Sequence, residues 1–247
     1  MPRSKAKNSN LPEPGLKEVC DRIRSLGDPK DAEFLQRFFK TGPGEYAEGD
    51  RFLGVRVPVT RKLAKEFKDL SISGCAELLK SEWHEERLLA LLILIHHFRD
   101  GDEKLKARIY RFYLQNTRYI NNWDLIDVTA ENIVGAFLFD KDRSPLYELA
   151  RSPNLWKKRI GILSTFHFIR RDQFEDTLRI SEILLRDDHD LIHKAVGWLL
   201  REVGKRDQSL EEAFLHEHYT KMPRTMLRYA IERFPEELRL SYLNGEI

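Results

Sequence analysis

The sequence predicts an all-α fold, an α-solenoid of stacked helical repeats, and three observations predict it. Apolar residues recur at helical spacing from about residue 15 to the C-terminus, whereas no stretch alternates as a strand would. Gly and Pro fall between the periodic segments rather than inside them. A weak internal repeat is present: Arg87 leads Leu-Leu-Ala-Leu-Leu, Arg159 leads Ile-Gly-Ile-Leu-Ser, and Lys194 leads Ala-Val-Gly-Trp-Leu, at spacings of 72 and 35 residues. A period near 36 with one slot skipped fits helix-pair repeats of the HEAT type. The skipped slot falls near Trp123, which makes Asn121 to Asp127 a place to look for function.

Composition agrees. Of 247 residues, 41% are hydrophobic, enough for a core, and 33% are charged, as suits an extended body with much surface. Net charge is only +2, so nucleic-acid binding has to be argued from where the charges sit. Segment 151–206 carries 12 Lys/Arg against 8 Asp/Glu, a local surplus of 4. Cys20 and Cys75 match no metal or redox spacing, and a reducing cytoplasm suits them. Residues 1–13 read as a disordered polar tail without the apolar stretch of a secretory signal, and the longest apolar run, Leu88 to Ile95, is too short to span a bilayer. Residues 14–247 read as a single domain.

In chain order, helices are expected at about 15–26, 30–40, 58–68, 71–80, 84–99, 102–115, 121–139, 143–150, 154–169, 173–185, 189–204, 207–219, 223–233 and 235–243. Thr41 to Val57, rich in Gly and acidic residues, is the one long loop. In the helix at 121–139, Asn121 or Asn122 serves as N-cap. With Asn121 as cap, Asp124 takes the third helical position and a structural role. Ile126, Ala130, Ile133 and Phe137 form the core stripe; Trp123 and Asp127 share a face at its edge. Asp127 there is a surface residue, a hydrogen-bonded structural residue or a functional one. In the helix at 154–169, capped by Asn154, Trp156, Ile160, Leu163 and His167 follow the buried stripe. Lys157, Lys158 and Arg159 stand in its first turn as a solvated basic face or as phosphate ligands.

The helix at 189–204 is the most informative. Ile192, Ala195, Val196, Leu199 and Val203 make a core stripe, and Trp198 lies nearly opposite, among Lys194, Arg201 and Lys205. Either a neighbouring element covers this indole, or it contacts a sugar or base while the flanking cations take phosphates. Three histidines, His84, His96 and His97, make no convincing metal set, and no Gly-rich phosphate loop, Ser or Cys triad or HExxH motif is present.

Three windows, Asn122 to Asp127, Asn154 to Arg159 and Lys194 to Glu202, resemble the AlkD family of alkylpurine DNA glycosylases, and Phe52-Leu53-Gly54-Val55 followed by Pro58 resembles that family's early segment. The resemblance implies a HEAT-like α-solenoid that clasps double-stranded DNA in a concave groove. It also implies monofunctional hydrolysis of the N-glycosidic bond of cationic N3- and N7-alkylated purines, without base flipping. It assigns Asp127 as the catalytic carboxylate, Trp123 and Trp198 as cleft tryptophans and Arg159 as the arginine that meets the DNA backbone. Lys158, Lys194, Arg201 and Lys205, read from the charge pattern, join them on the DNA-binding surface. Phe38 stands where the family carries a cleft tyrosine, and the loop Thr41 to Asp50 is longer than in the typical member. Both changes bear on substrate range. A monomer is implied, with no metal, no organic cofactor and no obligate protein partner. Two other readings use the same helices: a non-catalytic binder of bent or branched DNA, and a protein-interaction scaffold.

Overall fold

The computed structural model describes residues 15–247; the tail expected at 1–13 lies outside them. The described residues form an all-α helical-repeat fold whose sole strand-like pairing is an isolated bridge between Arg51 and Trp83. No described helix is long and apolar enough to cross a membrane. The chain divides into two compact units, one ending at His96 and the other spanning His97–Ile247.

The first unit holds α1 (Leu16–Arg24), α2 (Pro29–Phe38), α3 (Val57–Glu66), α4 (Ile72–Leu78) and most of α5 (His84–Asp100). Asp28 caps α2 by accepting from the amides of Lys30 and Asp31. The expected loop from 41 to 57 is held from below. Buried Glu85 accepts from the amides of Leu53, Gly54 and Val55 at 2.9, 2.9 and 3.1 Å. Arg87, the first repeat residue, bonds buried Asp50 at 2.6 Å, and the His84 ring meets the same carboxylate at 3.2 Å. Phe38 is 52% exposed and stacks on Phe34.

The second unit continues with α6 (Glu103–Gln115), a 3-10 turn, α7 (Trp123–Asp127), a π-helical turn (Glu131–Gly135), α8 (Ala136–Leu138), α9 (Ser144–Ala150), α10 (Leu155–Ser164), α11 (Phe166–Ile169), α12 (Glu175–Leu184), α13 (Asp190–Gly204), α14 (Gln208–His218), α15 (Arg224–Ala230) and α16 (Glu236–Asn244). Helix α10 is its centre, packed against α7, the π turn, α9 and α13; α13 packs in turn on α12, α14 and α15. The stripe read for α13 is the one buried: Ile192, Ala195, Val196, Leu199 and Val203 are all at 0% exposure. Gly197 lets α13 reach α15 backbone to backbone, because a Cβ there would sit 2.3 Å from the Met226 carbonyl oxygen.

One expected helix is not continuous. Between 121 and 139 the chain runs as α7, then a tightened stretch, the π turn and α8. The Thr129 hydroxyl bonds back to the Leu125 carbonyl and is shared with Tyr113 Oη at 2.7 Å; such back-bonding competes with the regular ladder and bends it. The extra residue of the π turn rotates α8 relative to α7. Leu138 therefore enters the core, while Phe137 turns half out against Tyr110. The cap is Asn122, not Asn121: its side chain accepts from Trp123 N at 2.8 Å, and Asp124 accepts from Leu125 N at 2.8 Å. The segment 154–169 likewise divides, at Thr165, into α10 and α11. Asn154 caps α10 as expected.

Candidate functional site

The site is assembled by α7, α10 and α13. The cap at Asn122 starts α7 so that Trp123 opens it and Asp127 closes it, one turn apart on one face. Helix α10 carries Arg159 opposite. Its guanidinium grips Asp127 bidentately, Nε to Oδ1 at 2.8 Å and Nη2 to Oδ2 at 2.7 Å, while Nη1 donates to the Leu191 carbonyl at 2.5 Å. Three elements are thereby tied through one side chain. The Arg159 side chain is 5% exposed and that of Asp127 16%, so the pair is largely withdrawn from solvent. Burial pushes the Asp127 carboxyl above its usual range, Asp124 adds to this, and the Arg159 cation opposes it. The result is a poorly hydrated anion with fixed geometry, suited to attracting a cation brought close to it.

Leu191 and Trp198 are seven residues apart on α13, hence on one face and about 10 Å apart along the axis. The indole that the sequence places opposite the core stripe is indeed half-buried rather than enclosed. Its Nε1 donates to Glu202 Oε1 at 3.2 Å, and its ring makes an edge-to-face contact with that of Phe166 at 5.5 Å and 63°. Trp123 is half-buried at the start of α7.

The cations of the expected basic surface have carboxylate partners. Arg159, read as a phosphate ligand, is committed first to Asp127 and Leu191. Lys158 is paired with Asp187, Lys194 with Asp190 at 2.7 Å, Arg201 with Glu232 and Lys205 with Glu202 at 2.6 Å. Asp187, Asp190 and Glu202 belong to the same segment, 151–206, whereas Asp127 and Glu232 come from outside it and offset part of its surplus. Phe38 belongs to the other unit. Of the predicted catalytic residues, the structure joins Asp127 to Arg159 directly. It sets Trp198 on the α13 face that also presents the Leu191 carbonyl.

Sequence reasoning missed a second rung. Glu131, four residues after Asp127 and beyond the break in that helix, bonds Arg170 at 2.9 Å, and the Arg170 guanidinium lies 4.4 Å over Phe166. The i,i+4 spacing of Asp127 and Glu131 was the available signal. Among the described residues no group of three or more His, Cys, Asp or Glu is placed to hold a metal.

A family described as DNA alkylation repair enzyme matches residues 19–234, nearly the whole described chain. The chain belongs to the DNA alkylation repair enzyme family. Among solved structures it is similar to a predicted DNA alkylation repair enzyme from Enterococcus faecalis. The two share 14% identity, and the match covers 85% of this chain and 98% of that one with a TM-score of 0.65. At that identity the likeness speaks for the fold. No curated protein sequence matches the chain. For a DNA alkylation repair enzyme, every predicted catalytic residue lies inside the matched span and within the second compact unit.

Proposed function

We propose that this DNA alkylation repair enzyme is a monofunctional glycosylase of the AlkD type. It would hydrolyse the N-glycosidic bond of cationic N3- or N7-alkylated purines in duplex DNA and leave the base in the stack. One observation carries the reading: a poorly solvated carboxylate, Asp127, its side chain 16% exposed and fixed bidentately by Arg159, on the same short helix as a half-buried tryptophan.

The chemistry suits that arrangement. An N3- or N7-alkylated purine already carries positive charge, so it departs with the bonding electron pair as a neutral base and needs no general acid. Positive charge then gathers on the deoxyribose. A fixed anion in a low-dielectric setting stabilises it without reorganisation. Water forms the new C1′–O bond, and its proton passes to the Asp127 carboxylate, which burial makes more basic than a free aspartate. Trp123 and Trp198 attract the cationic sugar through their ring faces, about 0.5–2 kcal/mol each. Arg159 acts as the group that orients Asp127. Lys158, Lys194, Arg201 and Lys205 would exchange their carboxylate partners for phosphates, which makes DNA affinity fall steeply with salt.

The direct test is single-turnover release of free base from duplexes carrying 7-methylguanine or 3-methyladenine. Release without strand cleavage is expected. Tight binding of the same duplexes with no release would replace this reading with that of a non-catalytic DNA binder.

A further inference from the structure

The second rung reaches one of the site's aromatic rings. Glu131 and Arg170 are joined by two contacts, Oε2 to Nε at 2.9 Å and Nη2 to Oε1 at 3.3 Å. The same guanidinium caps one face of Phe166 at 4.4 Å, and the Phe166 ring meets the Trp198 indole at 5.5 Å and 63°, edge to face. On its other side the indole is tethered by Nε1 to Glu202.

None of the three residues is there to fill the core. Phe166 and Glu131 are half-buried and Arg170 is exposed, whereas the neighbours Phe168 and Ile169 are at 0% exposure. The core of α11 is therefore supplied by other residues, and Phe166 presents its ring along the edge where the indole lies. Glu131 follows Asp127 by four residues across the break after α7, and Phe166 follows Arg159 by seven across the break at Thr165, so the second rung is built from the segments that directly continue those of the first.

We infer that Phe166 is a positioning residue for Trp198, and that the Glu131–Arg170 ion pair holds Phe166 in place. The rung fixes the angle of the indole, which has a hydrogen bond at one edge only and would otherwise turn about its side-chain bonds. Edge-to-face contact is directional, and a cation over one face of Phe166 strengthens the hold on that ring. The consequence for rate rests on the glycosylase reading; the geometric claim does not.

The test labels the protein with 5-fluorotryptophan and follows the four indoles by fluorine NMR, with Trp198→Phe assigning the Trp198 resonance. Phe166→Leu keeps apolar bulk and removes the ring. It is expected to shift and broaden the Trp198 resonance and leave that of Trp83 in place. Phe166→Tyr should restore the native position, and Arg170→Gln should give a smaller shift in the same direction. In single-turnover base release, Phe166→Leu should slow the step about tenfold, with duplex affinity changed less than about twofold, as loss of orientation rather than of binding requires. A Trp198 resonance unmoved by Phe166→Leu overturns the inference, and so do equal rate losses in Phe166→Leu and Phe166→Tyr. If wild-type protein releases no base while the Trp198 resonance moves as described, the glycosylase reading falls and the positioning of Trp198 stands.

Discussion

Replacing Arg159 by Met removes two bonds to Asp127 and one to the Leu191 carbonyl while keeping an apolar stem of similar length. It leaves a carboxylate with 16% side-chain exposure and no counterion. Breaking a buried pair from one side costs about 3–5 kcal/mol, and the remaining exposure of Asp127 sets the expectation near 3 kcal/mol. For a chain of this length, that lowers the melting temperature by about 6–12 °C. Asp127→Asn retains an acceptor for Arg159, so its cost is about 1.5 kcal/mol. The double variant leaves no uncompensated charge. It should cost about 2 kcal/mol rather than the sum of the single losses, a coupling near 2.5 kcal/mol. Thermal unfolding followed by far-ultraviolet circular dichroism at neutral pH measures all three. A second readout is pH. With the cation gone, burial and Asp124 act on the Asp127 carboxyl unopposed, so base release in Arg159→Met should climb with pH where wild type is flat. Arg87→Met is the control. It breaks the Asp50 pair in the other unit, so it should lower stability without slowing release by the folded protein. Single-variant costs that add to within about 0.5 kcal/mol would refute the argument that Arg159 and Asp127 act as one unit.

Two further variants probe the scaffold. A Cβ at Gly135 would lie 2.1 Å from the Ser164 carbonyl oxygen, a backbone atom that cannot turn away, so Gly135→Ala should cost about 3 kcal/mol and slow base release by displacing α10 from the π turn. Stability equal to wild type would show that the π turn tolerates displacement from α10. Glu211 is 2% exposed, and burial pushes its carboxyl up to about 8. Because the folded state holds that proton more tightly than the unfolded chain, its contribution is full below about 4.5 and is lost as pH rises through about 8. Glu211→Gln should therefore flatten the decline in melting temperature over that window and be the more stable protein at its alkaline end; parallel profiles would remove Glu211 as the cause.

The helices were legible where one side of each decides its fate. On α13 the apolar stripe and the opposed Trp198 emerge from spacing alone, and Asn154 announces the start of α10. The break after α7 was not legible, because it depends on Thr129 meeting Tyr113, a tertiary contact that periodicity does not carry. The same limit explains the basic surface. Lys158 and Arg201 read as free cations in the sequence, but their partners, Asp187 and Glu232, come from other segments brought alongside by helix stacking. Arg159 read as a solvated cation or a phosphate ligand, and its commitment to Asp127 required knowing that α7 and α10 pack together. The Asn121-or-Asn122 ambiguity was local, and the structure settles it because the Asn122 side chain is the one that accepts from Trp123 N.

The most direct measurement is single-turnover release of 7-methylguanine from duplex DNA by Asp127→Asn, with duplex affinity measured alongside. If the carboxylate stabilises the developing sugar cation, release falls about a hundredfold or more while affinity changes little. Release near the wild-type rate would contradict the account and leave the Asp127–Arg159 pair a structural tie between helices.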